Sequence, residues 1–352
     1  MVPGRSLQSS VAEEEDTMKA VCVTATRELE VRDVPTPIEA PSGHLLIEIE
    51  AAAINHGDKT FLARPAATTG LNTSLYDIWG ASAAGRVLSA GPDVETGYVG
   101  RKVAVYRSLT PSAQTVGLWA ERSVVPVTSC VILPEELSVI DYSGSLVNII
   151  TAHAFLQTMA AEGHTGVIVT VGASATGLAI AALAREKQIS VLFLVRSQHA
   201  HEQLRALHLE HVLVTSDDDF DTKFEQLAEE LKTTAVFDGA GGELITRIAP
   251  RLPRNSTLWF YGFLAGATPV SVPSLTFMAK NLTMKTFSNF NSATVRDTAK
   301  LREALEYLHT QIADPLFRTK IGKTFRLDQI REAMAYETQP GAKAVLLAKG
   351  EM

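Results

Sequence analysis

One uncharged segment, residues 165–184, constrains the fold of this chain more than any other. Its β-branched run VIVTV is followed by GASATG and then by a stretch rich in Ala and Leu. The apolar pattern therefore changes from that of a strand to that of a helix. A segment of this length could also cross a bilayer, but its centre consists of weakly hydrophobic Gly, Ser, Thr and Ala. The segment predicts a buried strand, a tight loop and a helix.

The loop has the spacing of a G-x-G-x-x-G motif, with Gly172 first, Ser174 in the middle and Gly177 last. The first glycine permits the turn, the small middle residue lets a pyrophosphate approach, and the last lets the helix pack against the sheet. The helix N-terminus then offers free N–H groups to a phosphate. The motif predicts a dinucleotide site formed by Gly172, Ser174, Ala175, Thr176 and Gly177. A tight turn that binds nothing is the alternative interpretation.

The end of the next apolar run, SVLFLV, indicates which dinucleotide binds. NAD sites place an acid there, about 20 residues after the glycines, to hold the ribose 2′-hydroxyl. Here the run ends in Arg196 and Ser197, with no acid nearby. An arginine can pair with a 2′-phosphate through charge-assisted hydrogen bonds, which an acid would repel. We therefore predict NADPH as the cofactor; a solvated surface arginine is the alternative interpretation.

Composition excludes several classes of function. Lys plus Arg is 32 and Asp plus Glu is 39, a net charge of −7, which argues against nucleic-acid binding as the main activity. Residues 1–17 hold four acids and one arginine, so they predict a solvated acidic tail. They lack the apolar core of a secretory signal and fit a mitochondrial transit peptide poorly, so we expect a cytoplasmic protein without membrane contact, with the mitochondrial matrix as the less favoured location.

The strand and helix signals divide the chain into regions. Short β-rich runs punctuated by Pro and Gly extend from Met18 to about Pro134, whereas from about residue 150 helical segments alternate with short apolar strands. The C-terminal part contains two helical patterns and a closing strand, AKAVLLAK. This order predicts an α/β protein with a doubly wound parallel Rossmann sheet after a β-rich domain.

Several segments in this order resemble the medium-chain dehydrogenase/reductase superfamily, in its zinc-free quinone oxidoreductase and 2-enoyl thioester reductase branch. The similarity extends from about Met18 to the C-terminus. The segments that carry it are INHGD at 54–58, GASAAGRVLSAGPDV at 80–94, VGRKVAVY at 99–106, GLWAERSVVP at 117–126, NIITAH at 148–153, VFDGAGG at 236–242, FYGFLAG at 260–266, FRLDQIREAM and GAKAVLL.

The resemblance implies a domain organisation. It implies a GroES-like catalytic domain over residues 18–149, completed by residues 291–352, and a Rossmann NADP-binding domain over residues 150–290. It also implies a homodimer, with a tetramer as the alternative, and a small-molecule substrate.

Departures from the family pattern argue against a catalytic metal. Zinc alcohol dehydrogenases of this superfamily take ligands from a Cys at the position of Asn55, from the His of a G-H-E motif and from a residue near Asn148. The G-H-E motif is Gly80-Ala81-Ser82 here, and neither cysteine lies in these segments. Because tetrahedral zinc needs three protein ligands and an open position, we predict an enzyme without zinc.

The resemblance also nominates catalytic residues. Enoyl reductases of the family use a Tyr in the loop after N-x-x-D, and the only Tyr of that loop here is Tyr76, near its far end. Either Tyr76 donates the proton, or water or another hydroxyl does. Neutral donors must stabilise the substrate oxygen, and the family positions around the nicotinamide fall on Asn55, Asn148 and Thr151, although each could be a satisfied turn or cap residue. The backbones of Gly239, Tyr261 and Gly262 are expected to border the nicotinamide, with Asn148 among the cofactor contacts.

Three functions remain open. Hydride transfer from NADPH to a conjugated C=C bond, in an enone or enoyl thioester, is favoured weakly by Arg196-Ser197 and the N-I-I-T-A segment. Quinone reduction is the second. The third is an NADPH-binding sensor or structural protein with little turnover, which the misplaced tyrosine favours mildly.

Overall fold

The structure is a computed structural model that describes residues 16–63, 74–107, 109–337 and 341–349. Its strands are β1 Thr17–Val23, β2 Leu29–Pro35, β3 His44–Ala53, β4 Ser82–Ala90, β5 Lys102–Tyr106, β6 Arg122–Pro126, β7 Cys130–Leu133, β8 Gly166–Val169, β9 Ser190–Val195, β10 Val212–Val214, β11 Ala235–Asp238, β12 Thr257–Phe260, β13 Thr283–Thr286, β14 Ile321–Arg326 and β15 Lys343–Leu347. Its helices are α1 His56–Leu62, α2 Ser145–Ala161, α3 Ala175–Glu186, α4 Gln198–Ala206, α5 Phe220–Glu230, α6 Gly242–Ile248, α7 Ser274–Lys280, α8 Ala293–Arg296, α9 Thr298–Gln311 and α10 Ile330–Ala335. The predicted tail falls outside the described residues except for its last two, and Thr17 already belongs to β1.

The β-rich part of the chain forms a seven-stranded sheet and a separate hairpin of β1 and β2. Six strands of the sheet follow the order β14-β15-β3-β4-β5-β7, and β6 pairs with β3. Two C-terminal strands thus join a sheet whose other strands lie before residue 134. Strand β15 pairs antiparallel with β3 through Val345 and Ala53. The C-terminal segment therefore returns to the region where α1 begins.

The second sheet is parallel and has six strands in the order β10-β9-β8-β11-β12-β13. The chain order reverses between β8 and β11, which pair with each other. Ligands of doubly wound sheets bind in the crevice outside the carboxyl ends of the strands at such a reversal. The predicted α/β class with a Rossmann sheet is confirmed, and the glycine loop lies at this reversal, directly after β8.

Helix α2 has no amphipathic signal in the sequence because it is buried on several sides. Ten of its 17 residues are buried, and it packs against α3, α8 and α9. Its Phe155 ring stacks on Phe237 of β11 with ring centroids 4.0 Å apart. A helix covered in this way loses the one-sided periodicity by which helices are recognised.

Candidate active site

Residues from both sheets line one cavity of about 960 Å³. The start of α1 and the start of β15 contribute to one side, and the glycine loop and the segments after β11 and β12 contribute to the other. Of the residues singled out in the sequence, the lining includes Asn55, Asn148, Thr151, Ser174, Ala175, Thr176, Gly239, Tyr261 and Gly262. Sequence positions that are distant along the chain are therefore brought together at one site.

The glycine loop has the close contacts that its spacing predicts. A Cβ on Gly177 would lie 2.4 Å from the carbonyl oxygen of Gly172, and one on Gly172 would lie 2.9 Å from Cβ of Phe193. Ser174 is the N-cap of α3, and its Oγ accepts the amide N–H of Gly177 at 3.0 Å. The first-turn amides of Ala175 and Thr176 have no acceptor within the helix and are left for a ligand. The loop thus offers backbone donors at the cavity wall.

Tyr261 connects the glycine loop to the end of β11. Its ring stacks on Phe237 with centroids 3.9 Å apart, and its hydroxyl lies near the side chain of Ser174. A Cβ on Gly239 would lie 2.8 Å from that hydroxyl, so the tyrosine fits only beside a glycine. Burial raises the pKa of Tyr261, which keeps the phenol neutral.

Asp238, at the carboxyl end of β11, holds the following loop in place. Its Oδ1 accepts from the Thr170 hydroxyl at 2.6 Å, and its Oδ2 accepts the amide of Gly241 at 2.8 Å. The hydroxyl of Thr170 in turn accepts the amide of Gly239. This network holds the Gly239 segment against the cavity.

Arg196 and Ser197 lie outside the cavity lining, after the carboxyl end of β9. Ser197 is the N-cap of α4 and accepts the amide of Ala200 at 3.3 Å. Arg196 is exposed, and its guanidinium has no hydrogen bond or ion pair within the described ranges. The amide of Gly172 donates to Leu194 of the same strand at 3.0 Å, so the glycine loop and the end of β9 are adjacent.

Asn55 is the centre of a buried polar network at the start of α1. Its Oδ1 accepts a hydrogen bond from Nζ of Lys343. Because an ammonium group only donates, this contact directs the amide nitrogen the other way. There Nδ2 donates to Oγ of Ser82 at 2.7 Å and to Oδ2 of Asp58 at 3.1 Å. Both amide hydrogens are engaged, so Asn55 has none left for a substrate oxygen.

Asp58 lies beneath Asn55 and is 0% exposed. Besides the amide of the Asn55 side chain, it accepts the backbone N–H of Asn55 at 2.7 Å and that of Ala81 at 3.0 Å. Burial raises the pKa of Asp58, whereas these hydrogen bonds and the nearby Lys343 oppose the rise. The carboxyl group thus forms part of the N-terminal capping box of α1 and connects the helix to the segment before β4.

Asn148 and Thr151, both on α2, also have engaged donors. Asn148 Nδ2 donates to the carbonyl of Gly144 at 2.6 Å, and its Oδ1 accepts from the Thr176 hydroxyl at 3.0 Å. The hydroxyl of Thr151 donates to the carbonyl of Val147 at 2.6 Å. Asn148 therefore ties α2 to the glycine loop, and Thr151 can accept a hydrogen bond but has donated its hydrogen.

Tyr76 is not brought together with the other predicted residues. It is absent from the cavity lining, it is 44% exposed, and its backbone has φ of 60°. Much of the surrounding loop, residues 64–73, falls outside the described residues. The proton-donor role predicted for Tyr76 stays a prediction without support from the cavity geometry.

Three cavity residues escaped the sequence interpretation. Lys343 lies in AKAVLLAK, whose pattern predicts only a closing strand. The other two are Tyr106, whose hydroxyl lies near the side chain of Asn289, and Asn289 itself. The buried Nδ2 of Asn289 has no hydrogen-bond partner in the described part of the chain. The sequence contains one signal for Lys343, a lysine within an otherwise apolar run. It contains none for Tyr106 or Asn289.

Candidate metal ligands are not grouped. Among the described residues, no three His, Cys, Asp or Glu side chains lie together as a metal site would require. Cys22 and Cys130 are free and buried, and burial raises the pKa of Cys22 to about 11. No helix within the described ranges is long and apolar enough to cross a bilayer.

Comparison with known proteins agrees with this architecture. Residues 41–135 match the model of the alcohol dehydrogenase GroES-like domain. A zinc-type alcohol dehydrogenase-like protein of Schizosaccharomyces pombe is 30% identical over 170 residues, which are 48% of this chain and 49% of that protein. The human synaptic vesicle membrane protein VAT-1 homolog is 26% identical over 223 residues, or 61% and 52% of the two chains. The matched region thus spans about half the length of these curated relatives.

Solved structures resemble the chain over nearly its whole length. A putative NADPH:quinone reductase from Mesorhizobium loti has a TM-score of 0.71 at 21% identity and covers 96% of this chain and 100% of its own. A mycobacterial protein complexed with NADPH has a TM-score of 0.70 at 23% identity, with coverages of 94% and 99%. A 2-haloacrylate reductase has a TM-score of 0.70 at 19% identity, with coverages of 95% and 100%. At these identities the likeness establishes the fold.

Proposed function

We propose that the chain is a zinc-independent, NADPH-dependent oxidoreductase of the medium-chain dehydrogenase/reductase superfamily, a placement supported by the GroES-like domain match over residues 41–135 and by the fold. Its acceptor is a conjugated C=C bond, in an enone or an enoyl thioester. The single observation that carries the proposal is the cavity, in which a glycine loop and the polar groups around Asn55 share one space. Relatives named as NADPH:quinone reductase and 2-haloacrylate reductase support it.

The residues present fit the cofactor. A Cβ at Gly177 would fill the space that the backbone of the loop needs, and the amides of Ala175 and Thr176 would face the pyrophosphate. Arg196, which has no partner in the described part of the chain, would pair with the 2′-phosphate. When bound in this way, NADPH supplies a hydride, that is, one proton with two electrons. The wall of Gly239, Tyr261 and Gly262 would hold the nicotinamide half.

The remaining cavity wall suits an apolar conjugated substrate. It includes the aromatic rings of Tyr106, Phe260, Phe263, Phe287 and Phe290. Such rings bind flat apolar groups and exclude water, which strengthens hydrogen bonds to a substrate oxygen. The same wall would accept a quinone ring, so quinone reduction is the second candidate function.

The acceptor is tested by mixing the protein with NADPH and following absorbance of the reduced nicotinamide. We expect oxidation with an enone or a crotonyl thioester to be at least about tenfold faster than with a benzoquinone, and slower with NADH throughout. Faster turnover of the quinone would select the second candidate. Tight NADPH binding without oxidation by any acceptor would contradict both and favour a nucleotide-binding protein with little turnover.

We also propose a homodimer, with a tetramer as the alternative. Leu275 and Met278 on α7 are 78% and 75% exposed, and no residue of α7 is buried. The neighbouring strand β13 is the edge of the parallel sheet, and an open edge with exposed apolar residues beside it favours association. Sedimentation velocity should give twice the chain mass of 37.9 kDa. Replacing both residues with Asp should give the monomer, and an unchanged mass would place the interface elsewhere.

A further inference from the structure

Lys343 is a partly buried cation for which the expected chemistry has no use. It opens β15 and lines the cavity. Its stem lies over Gly144, where an added Cβ would come within 3.0 Å of the lysine Cδ. From there Nζ reaches Oδ1 of Asn55. The side chain is therefore held in one direction by packing along its stem and by a hydrogen bond at its tip.

The hydrogens of Lys343 are mostly free. An ammonium group carries three N–H donors, and within the described residues Nζ makes one hydrogen bond, to Asn55. Asn55 has both amide hydrogens engaged with Ser82 and Asp58. The hydroxyl of Thr151 has likewise donated its hydrogen within α2. Lys343 thus has hydrogens to give to a ligand, whereas the side chains of Asn55 and Thr151 have none.

The surroundings of Lys343 bring the pKa of its ammonium group toward neutral pH. Burial lowers the pKa of Lys343 to about 8, and the carboxyl group of Asp58 opposes that shift. The other titratable groups that line the cavity are His56 and Lys59, on the same helix as Asp58, and the phenols of Tyr106 and Tyr261, whose pKa values burial raises. On the neighbouring strand and before it, Lys323 and Lys320 are exposed. A general acid works best when its pKa lies close to the working pH.

We propose that Lys343 is the catalytic acid of this site, whose ammonium group binds the carbonyl oxygen of the acceptor and protonates it. This rests on the proposed function. As the hydride adds to the β-carbon, the C=C electron pair moves to form an enolate, and its oxygen takes one proton from Nζ. The enol then tautomerises by exchange with water, and water returns a proton to the neutral amine. Overall one reduced cofactor, one C=C bond and one proton give one oxidised cofactor and one saturated product.

Asn55 and Asp58 have positioning roles in this assignment. Asn55 holds the ammonium group through its amide oxygen, and Asp58 orients the amide and keeps a negative charge nearby. For a quinone acceptor the same proton goes to the second oxygen of the ring and gives the hydroquinone, so the assignment does not depend on which acceptor class is reduced.

The kinetic test replaces Lys343 with Met, which keeps an unbranched side chain one atom shorter and removes its charge. We expect kcat to fall by about a hundredfold or more, the usual contribution of a general acid, with an unchanged Kd for NADPH. Lys343→Arg should recover part of the rate. Lys323→Met, the same exchange at an exposed position of β14, is the control and should match the wild type. An unchanged kcat in Lys343→Met would overturn the proposal.

The pH profile separates Lys343 from the other cavity lysine. Because the protonated amine is the active form, kcat/KM of the wild type should be level below the pKa of Lys343, about 8, and should fall above it. Lys343→Arg should move this alkaline limb to higher pH. If Lys59→Met instead of the Lys343 variants removes the limb, the proposal is wrong.

A binding experiment tests the role of Lys343 without turnover. The para-nitrophenolate anion carries a charged oxygen on a conjugated ring, like the enolate, and its visible absorbance reports ionisation. The wild-type protein should lower the pKa of the bound phenol, Lys343→Arg should preserve this effect and Lys343→Met should abolish it. If no acceptor oxidises NADPH, the proposed function fails while this titration still tests Lys343. An equal effect in wild type and Lys343→Met would overturn the assignment alone.

Discussion

Replacing Arg196 with Asp should lower the affinity for NADPH by about a hundredfold while leaving that for NADH within a few-fold. The guanidinium follows β9, beside the glycine loop, and has no partner in the described part of the chain. A charge-assisted hydrogen bond contributes about 1.5–3 kcal/mol, or roughly 10- to 100-fold. The introduced carboxylate adds repulsion of the 2′-phosphate and can accept from the 2′-hydroxyl of NADH. The preference should therefore reverse.

The measurement is a fluorescence titration of both nucleotides against both proteins. Arg331→Asp is the matched control, because Arg331 is also exposed but lies on α10. It makes the same change in net charge and should leave both affinities unaltered. An unchanged NADPH affinity in Arg196→Asp would remove the basis for assigning this cofactor.

Much of the cofactor side could be predicted from sequence because its determinants are local. The change from strand to helix periodicity and the glycine spacing lie within residues 165–184. The turn needs small residues where backbone approaches backbone, as Gly177 approaches the carbonyl of Gly172. Residues close in sequence are then close in space, so their pattern carries the geometry.

The acid of the substrate side could not be predicted because it depends on contacts between distant residues. Lys343 and Asn55 are 288 positions apart and meet because β15 pairs with β3. Asn55 lines the cavity, but the sequence does not show that its amide hydrogens are engaged by Ser82 and Asp58. Motif matching therefore identifies where a residue lies and leaves open whether it has a hydrogen to donate.

Replacing Asp58 with Asn should destabilise the protein and also shift its pH profile. The carboxylate accepts three N–H hydrogen bonds while fully buried, and an amide would turn one of its donors toward another N–H group. A buried polar group left unpaired costs about 1–3 kcal/mol, and more beside a charge, so we expect unfolding free energy to fall by about 3 kcal/mol. Denaturant unfolding measures this loss. Asp33→Asn, at an exposed position of β2 that forms a surface ion pair with Lys19, is the control and should change stability by less than about 1 kcal/mol.

The sign of the accompanying pH shift follows from the charge that is removed. An opposite charge favours the protonated form of a lysine, so the carboxyl group of Asp58 raises the pKa of Lys343 against the effect of burial. Without it the ammonium group loses its proton at lower pH, and the alkaline limb of kcat/KM should move down. In a Lys343→Met background Asp58→Asn should cause no such movement, whereas the loss of stability should remain. A limb that moves equally in both backgrounds would show that Asp58 acts on another titrating group.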